Sequence, residues 1–196
     1  MHILLITGFL GSGKTTFLLN ITEELVNDGN KVAVLVNEVG EIGIDGKLMK
    51  QLDVNVWEMS SGCICCSLIS DLVPTLESLK KEYIIDTVLI EPSGIAEPDN
   101  ILKQLEGRRN EVFEDIRVVT MVDSLRFPEL FEVLTPLLTK QVVNADVILI
   151  NKIDAVEQEL LDLTCDLVKG INPSINMFSI SATDIISDQL KKELLQ

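Results

Sequence analysis

The stretch Gly8-Phe-Leu-Gly-Ser-Gly13-Lys14-Thr15 matches G-x-x-x-x-G-K-[ST] without deviation. It constrains the fold because it works only between two particular elements. The apolar run before it, His2–Thr7, reads as a buried strand, and Lys14–Asp28 carries helical periodicity. Glycines let such a loop curl, and the amides at the helix N-terminus then face an anion. A strand, loop and helix in this order call for a mostly parallel sheet covered by helices.

The rest of the chain keeps that alternation. Strands are expected over Lys31–Asn37, Val54–Glu58, Asp86–Glu91, Arg117–Val122, Asp146–Asn151 and Asn176–Ile180. Helical patterns run over Leu68–Glu82, Asp99–Glu106, Ser124–Lys140, Ala155–Lys169 and Ile185–Leu195. "TVLIE" and "DVILIN" are apolar almost throughout, as strands buried on both faces are. The expected fold is a doubly wound α/β sheet with helices on both faces. With 196 residues and no repeat or linker, one domain spanning 1–196 is expected. Glu106–Asp115 reads as a solvated excursion, whose two arginines are an outside candidate for phosphate contact.

The formal net charge of −15 repels nucleic-acid phosphates and anionic lipid, so neither is an expected partner. The N-terminal apolar run is too short for a signal-peptide core, and no window offers the roughly 20 apolar residues of a membrane span. A cytoplasmic setting is expected. His2, the single histidine, reads as structural or merely exposed.

The loop implies a nucleoside triphosphate. Gly11, Ser12, Gly13, Lys14, Thr15 and Thr16 form the expected phosphate grip, with Lys14 on the β and γ phosphates and the Thr15 hydroxyl on Mg2+. Asn151-Lys152-Ile-Asp154 ends another buried strand in the order of a guanine-reading motif. A carboxylate at Asp154 accepts from both the ring N–H and the exocyclic amine of guanine, a pair adenine cannot form. The competing role for Asp154 is a helix N-cap. Ser181 and Ala182 in "SISA" are placed to offer an amide to the guanine carbonyl. In "VLIEPSG", Glu91 is a candidate catalytic or Mg2+-linked carboxylate and Gly94 a γ-phosphate contact; the plainer reading is a strand-to-helix turn.

Three of the four cysteines fall in Cys63-Ile-Cys65-Cys66. Thiolates at this density suit Zn2+, Cu+ or Co2+, with a thiol redox switch or simple packing as alternatives. A tetrahedral ion needs a fourth donor, for which Glu38, Glu41, water or a partner's ligand are candidates. No second C-x-x-C or histidine pair exists to close a structural zinc site, which points to an open, exchangeable one. Cys165 lies on an apolar helical face and reads as core.

Together "TGFLGSGKTT", "NEVGEIGIDG", "SSGCICCSL", "EPSGIAEP" and "NKID" resemble the CobW/HypB/UreG-type metallochaperone GTPases, most closely the CobW-like branch. The resemblance runs from Thr7 to Asp154. It implies a GTPase that delivers Zn2+ or Co2+ to a client metalloprotein or cofactor-insertion machinery. It also implies Mg2+ at Thr15, a metal site at Cys63, Cys65 and Cys66, and dimerisation or client docking. Because phosphoryl transfer is catalysed mainly by positioning and charge, unassisted hydrolysis is expected to be slow. Two features depart from the pattern: the family's C-terminal domain and histidine-rich stretch do not occur in these 196 residues, and Val36 precedes "NEVGE" where many members carry an acidic residue. Two further readings stay open: a nucleotide-gated activation or redox maturation factor, and a non-hydrolysing GTP-binding module.

Overall fold

A computed structural model describes residues 1–36, 54–58 and 67–195. Seven strands are found among them: β1 (His2–Gly8), β2 (Val32–Val36), β3 (Asn55–Glu58), β4 (Thr87–Glu91), β5 (Asp115–Asp123), β6 (Val147–Asn151) and β7 (Asn176–Ser179). They form one sheet in the order β3-β2-β4-β1-β5-β6-β7, every pairing parallel. The helices are α1 (Lys14–Asn27), α2 (Ser67–Glu82), α3 (Pro98–Leu105), α4 (Phe127–Val143), α5 (Gln158–Ile171) and α6 (Asp188–Leu195). The doubly wound expectation holds, and the strand bounds differ from it by a residue or two.

Alternation along the strands divides the core. Leu4, Ile6, Val34, Leu89, Val119, Val147 and Leu149 face α1 and α6. Ile3, Leu5, Leu35, Val88 and Ile90 face α2 and α3, while Ile148 and Ile150 meet α4 and α5. Burial on both sides is why β2, β4 and β6 read as unbroken apolar runs.

β1 lies between β4 and β5, where the connections change direction across the sheet. Open parallel sheets bind ligands at that point, beyond the strand C-termini. The Gly8–Gly13 loop opens there. Glu106–Asp115 lies at the opposite edge, because Asp115 pairs with His2 at the start of β1. Arg109 there bonds Asp115 at 2.6 Å, Arg108 sits 3.3 Å from Glu77, and Val112 and Phe113 are buried. Neither arginine serves the phosphate loop. His2 is half exposed, 3.3 Å from Glu114.

Helix α4 starts three residues later than Ser124. Ser124 is diverted because both its amide and its hydroxyl bond the Asn151 carbonyl, at 3.0 and 2.7 Å. Arg126 N–H closes a turn on the Asp123 carbonyl at 3.1 Å. That turn sets the side chains of Asp123 and Arg126 over the phosphate loop.

Phe17 of α1 is fully buried in the cluster shared by α1, the sheet and α6. Phe17→Ala is expected to lower unfolding stability by about 3–5 kcal/mol in denaturant titration. A loss below about 1 kcal/mol would show that this face is not the packed core described.

Candidate functional site

The site begins where β1 stops. Gly11 and Gly13 hold left-handed backbone angles, φ +74° and +97°, that other residues adopt only with strain. At Gly13 space matters as well, since a Cβ there would collide with Asn151 Nδ2. Three carbonyls of the loop are each held by a side chain. Phe9 O accepts from Lys14 Nζ at 3.3 Å, Leu10 O from Arg126 Nη2 at 2.6 Å, and Ser12 O from Asn151 Nδ2 at 2.8 Å. Lys14 is buried at the head of α1, and Thr16 is exposed within the first turn.

On one side of the loop, Thr15 Oγ1 donates to Glu91 Oε1 at 2.9 Å. Glu91 ends β4 and is 5% exposed. A hydroxyl and a carboxylate are hard oxygen donors of the kind Mg2+ takes, so the pair fits that ion. Gly94 abuts the loop so closely that a Cβ would lie 2.7 Å from the Leu10 amide nitrogen. Gln141 of α4 holds this turn by donating to the Gly94 carbonyl at 3.2 Å. Sequence reasoning missed Gln141, for a lone glutamine on a helix carries no signal.

On the other side, Asn151 is 2% exposed and ties three elements together. Its Nδ2 reaches the phosphate loop, and its Oδ1 accepts from the Ala182 amide at 2.8 Å. The sequence points that amide at the guanine carbonyl; in the structure Asn151 occupies it. Asn20 of α1 fixes the same loop by donating to the carbonyls of Ala182 at 3.2 Å and Asp184 at 2.6 Å. The Ser181 and Thr183 hydroxyls pair at 2.9 Å. Asp154 is exposed on a 3-10 turn, Ile153–Ala155. Its alternative role as N-cap is not realised, because α5 begins after Glu157.

Lys152 is left-handed at φ +66° and donates to Asp123 Oδ2 at 2.8 Å. The same oxygen accepts from Arg126 Nε at 2.9 Å. Sequence reasoning singles out neither Asp123 nor Arg126. The available signal is an acidic residue ending the β5 run "VVTMVD", as Glu91 ends β4.

Cys63, Cys65, Cys66, Glu38 and Glu41 lie outside the described residues. Among the described residues no cluster of three or more potential metal ligands occurs. Cys165 is partly buried against the α4–α5 cluster, and burial pushes its thiol above the usual range.

A parallel sheet with its phosphate loop after β1, a hydroxyl–carboxylate pair beside it and Asn-Lys-x-Asp at the end of β6 define a P-loop nucleotide-binding domain of the GTPase type. The chain belongs to the CobW/HypB/UreG nucleotide-binding domain family, whose model matches residues 2–179. A zinc-regulated GTPase metalloprotein activator 1 of Dictyostelium discoideum is 34% identical over an alignment covering 88% of this chain and 44% of the relative. A zinc chaperone CobW of Pseudomonas aeruginosa is 31% identical, covering 82% and 51%. Among solved structures, the Zn(II)-bound YjiA GTPase from E. coli superposes with a TM-score of 0.73 at 26% identity, over 100% of this chain and 62% of that one. This chain thus spans about half the length of the curated relatives it matches.

Gly13→Ala combines left-handed strain with the Asn151 collision. It is expected to weaken nucleotide binding at least about 10-fold in calorimetry, the strain alone being of order 1–2 kcal/mol. Unchanged affinity would mean that the loop does not hold phosphate in this shape.

Proposed function

We propose that this protein binds GTP with Mg2+, hydrolyses it slowly without a partner, and uses the cycle to hold and release a transition metal ion, Zn2+ or Co2+, for a client. The observation that carries the nucleotide half is the Asn151 bridge, which joins the phosphate loop to the Ser181–Ala182 loop across one buried side chain. Phosphate and base are then read by one connected unit.

Lys14, now on the Phe9 carbonyl, is positioned to transfer to the β and γ phosphates. The Gly11, Ser12, Gly13, Thr15 and Thr16 backbone forms the rest of the phosphate grip. Mg2+ supplies charge neutralisation at the terminal phosphates; Thr15 would hold it, with Glu91 in the surrounding shell or orienting water. Gly94 would face the γ-phosphate across the loop from Leu10. Asp154 would read guanine, with Lys152 flanking the base. Because the Ala182 amide already serves Asn151, the guanine carbonyl would be met by another amide of the same loop, or by Ala182 after Asn151 yields it.

The metal half is supported by family and by the strand ends. Val36, the last residue of β2, pairs with both Glu58 of β3 and Glu91 of β4. Segments 37–53 and 59–66 therefore depart from positions one and two strands away from Glu91, about 5 and 10 Å. They carry Glu38, Glu41, Cys63, Cys65 and Cys66, the proposed ligands for the delivered ion. A change at the Mg2+ and γ-phosphate position can thus reach both segments through neighbouring strand ends. Relatives named as zinc chaperones and a zinc-bound YjiA structure support the choice of a borderline-soft ion. Thiolates need a reducing compartment, which the cytoplasm provides. No helix among the described residues is long and apolar enough to cross a membrane. Client docking and dimerisation are parts of the same proposal.

Two measurements test it. Asp154→Asn should lower GTP affinity by about 10–100-fold, from lost charge-assisted bonds, and shift preference toward xanthosine triphosphate, whose 2-carbonyl can accept from an asparagine amide. Retained guanine preference removes Asp154 from base reading. Reduced protein loaded with a non-hydrolysable GTP analogue should bind Zn2+ or Co2+ about 5–150-fold more tightly than the GDP-loaded form, a coupling of about 1–3 kcal/mol. Cys65→Ser and Cys66→Ser should abolish that binding. Equal affinity in the two nucleotide states would end the coupling proposal.

A further inference from the structure

We infer that Arg126 and Asp123 are positioning residues that set the direction of a peptide in the phosphate loop and tie that setting to the base-reading lysine. The inference rests on the nucleotide reading above but does not depend on the metal.

A peptide amide and its carbonyl point in opposite directions when the bond is trans, and no cis bond is found among the described residues. A loop of this kind grips phosphate only while its N–H groups face the anion, so its carbonyls must face away. The Leu10–Gly11 peptide is the vulnerable one. Gly11, at φ +74°, has no Cβ to oppose a flip of the peptide that precedes it. A flip would aim the Leu10 carbonyl into the cradle and withdraw the Gly11 amide. Arg126 prevents it by donating Nη2 to Leu10 O at 2.6 Å. Its guanidinium packs so tightly on the turn that a Cβ on Gly11 would lie 2.7 Å from Nη2.

Arg126 is 43% exposed at its side chain and would wander on its own. Asp123 stops it. That carboxylate is 4% exposed, accepts Arg126 Nε at 2.9 Å through Oδ2, and is itself fixed by the Leu125 amide at 3.1 Å through Oδ1. A guanidinium has the right geometry for both contacts, since Nε serves one acceptor and Nη2 another in a rigid plane, which a lysine cannot reproduce. Oδ2 also accepts Lys152 Nζ at 2.8 Å. One buried oxygen therefore orients the cation that sets the phosphate peptide and the cation of the base-reading motif. Neither residue is expected to touch the reacting atoms.

The test compares GDP and GMP binding by calorimetry in wild type, Arg126→Ala, Arg126→Lys and Asp123→Asn, with thermal unfolding of each. On this reading the Gly11 amide would serve the phosphates beyond the first. Arg126→Ala should therefore lower the GDP-over-GMP preference by about 10–100-fold, the worth of one charge-assisted bond, while GMP affinity stays near wild type. Arg126→Lys should recover only part of that preference. Asp123→Asn should lower the preference and GMP affinity together, because Lys152 is released as well. A variant that merely loosens the fold would weaken both ligands in proportion. Wild-type binding with the preference unchanged in folded Arg126→Ala overturns the inference alone, whatever becomes of the buried Asp123 variant. Failure of the wild type to bind either nucleotide overturns the inference and the nucleotide reading together.

Discussion

A run of backbone amides can hold a phosphate only while its own carbonyls are occupied elsewhere. In this protein most of the occupying groups come from distant parts of the chain: Lys14 lies on Phe9, Arg126 on Leu10, and Asn151 on Ser12. Arg126 lies in the turn after β5 and Asn151 ends β6, so the loop after β1 keeps its shape only if those strands are in register beside it. The register supplies this, with Gly8 opposite Met121 and Asp123 opposite Asn151. Because β5 and β6 are buried on both faces, slipping either by one residue would move a whole apolar set out of its layer. Packing of the sheet and the shape of the anion grip are the same constraint seen at two scales.

The same logic explains why Asn151 has no simple substitute. Its amide group donates from one end and accepts at the other, and both ends are used inside a site almost closed to solvent. Aspartate could accept from Ala182 but not donate to Ser12. Leucine would leave a buried carbonyl and a buried amide unsatisfied, at about 1–3 kcal/mol each.

The order of strands and helices is legible because each buried strand is an uninterrupted apolar run and each helix keeps its period. Phosphate-loop and base-motif residues are legible because their spacing is local, confined to Gly8–Thr15 in one case and Asn151–Asp154 in the other. What sequence cannot supply is any pairing across the sheet. Asp123 and Lys152 are 29 positions apart, and Arg126 and Leu10 are 116. Such contacts are created by strand order, and the order places β5 rather than β4 on that side of β1. The start of α4 departs from expectation for a related reason. "SLRF" has helical composition, yet Ser124 is claimed by a carbonyl on β6 that no local pattern announces. The bond from the Ala182 amide to Asn151 escapes the sequence in the same way, since its partner lies 31 residues back. Cys63, Cys65 and Cys66 are conspicuous by spacing alone, but they lie outside the described residues.

The arrangement also bears on how a small ligand change can act at a distance under the proposed function. The Thr15 hydroxyl donates to Glu91 at 2.9 Å. The hydroxyl keeps two lone pairs, so Thr15 could hold Mg2+ while its proton stays hydrogen-bonded to Glu91, which would tie the ion to the end of β4. Glu91 is nearly buried and ends a strand whose neighbour is Val36, so its freedom to follow is small. A displacement of Thr15 with the terminal phosphate would therefore pass through Glu91 to solvent, which it scarcely meets, or to the adjacent strand ends from which segments 37–53 and 59–66 depart. A rigid parallel sheet transmits little along its length, but neighbouring C-terminal ends lie only about 5 Å apart. Coupling between the nucleotide and the thiolate segment would therefore need no movement of domains, only a carboxylate bonded to the ion's ligand and strand ends close enough to share its displacement.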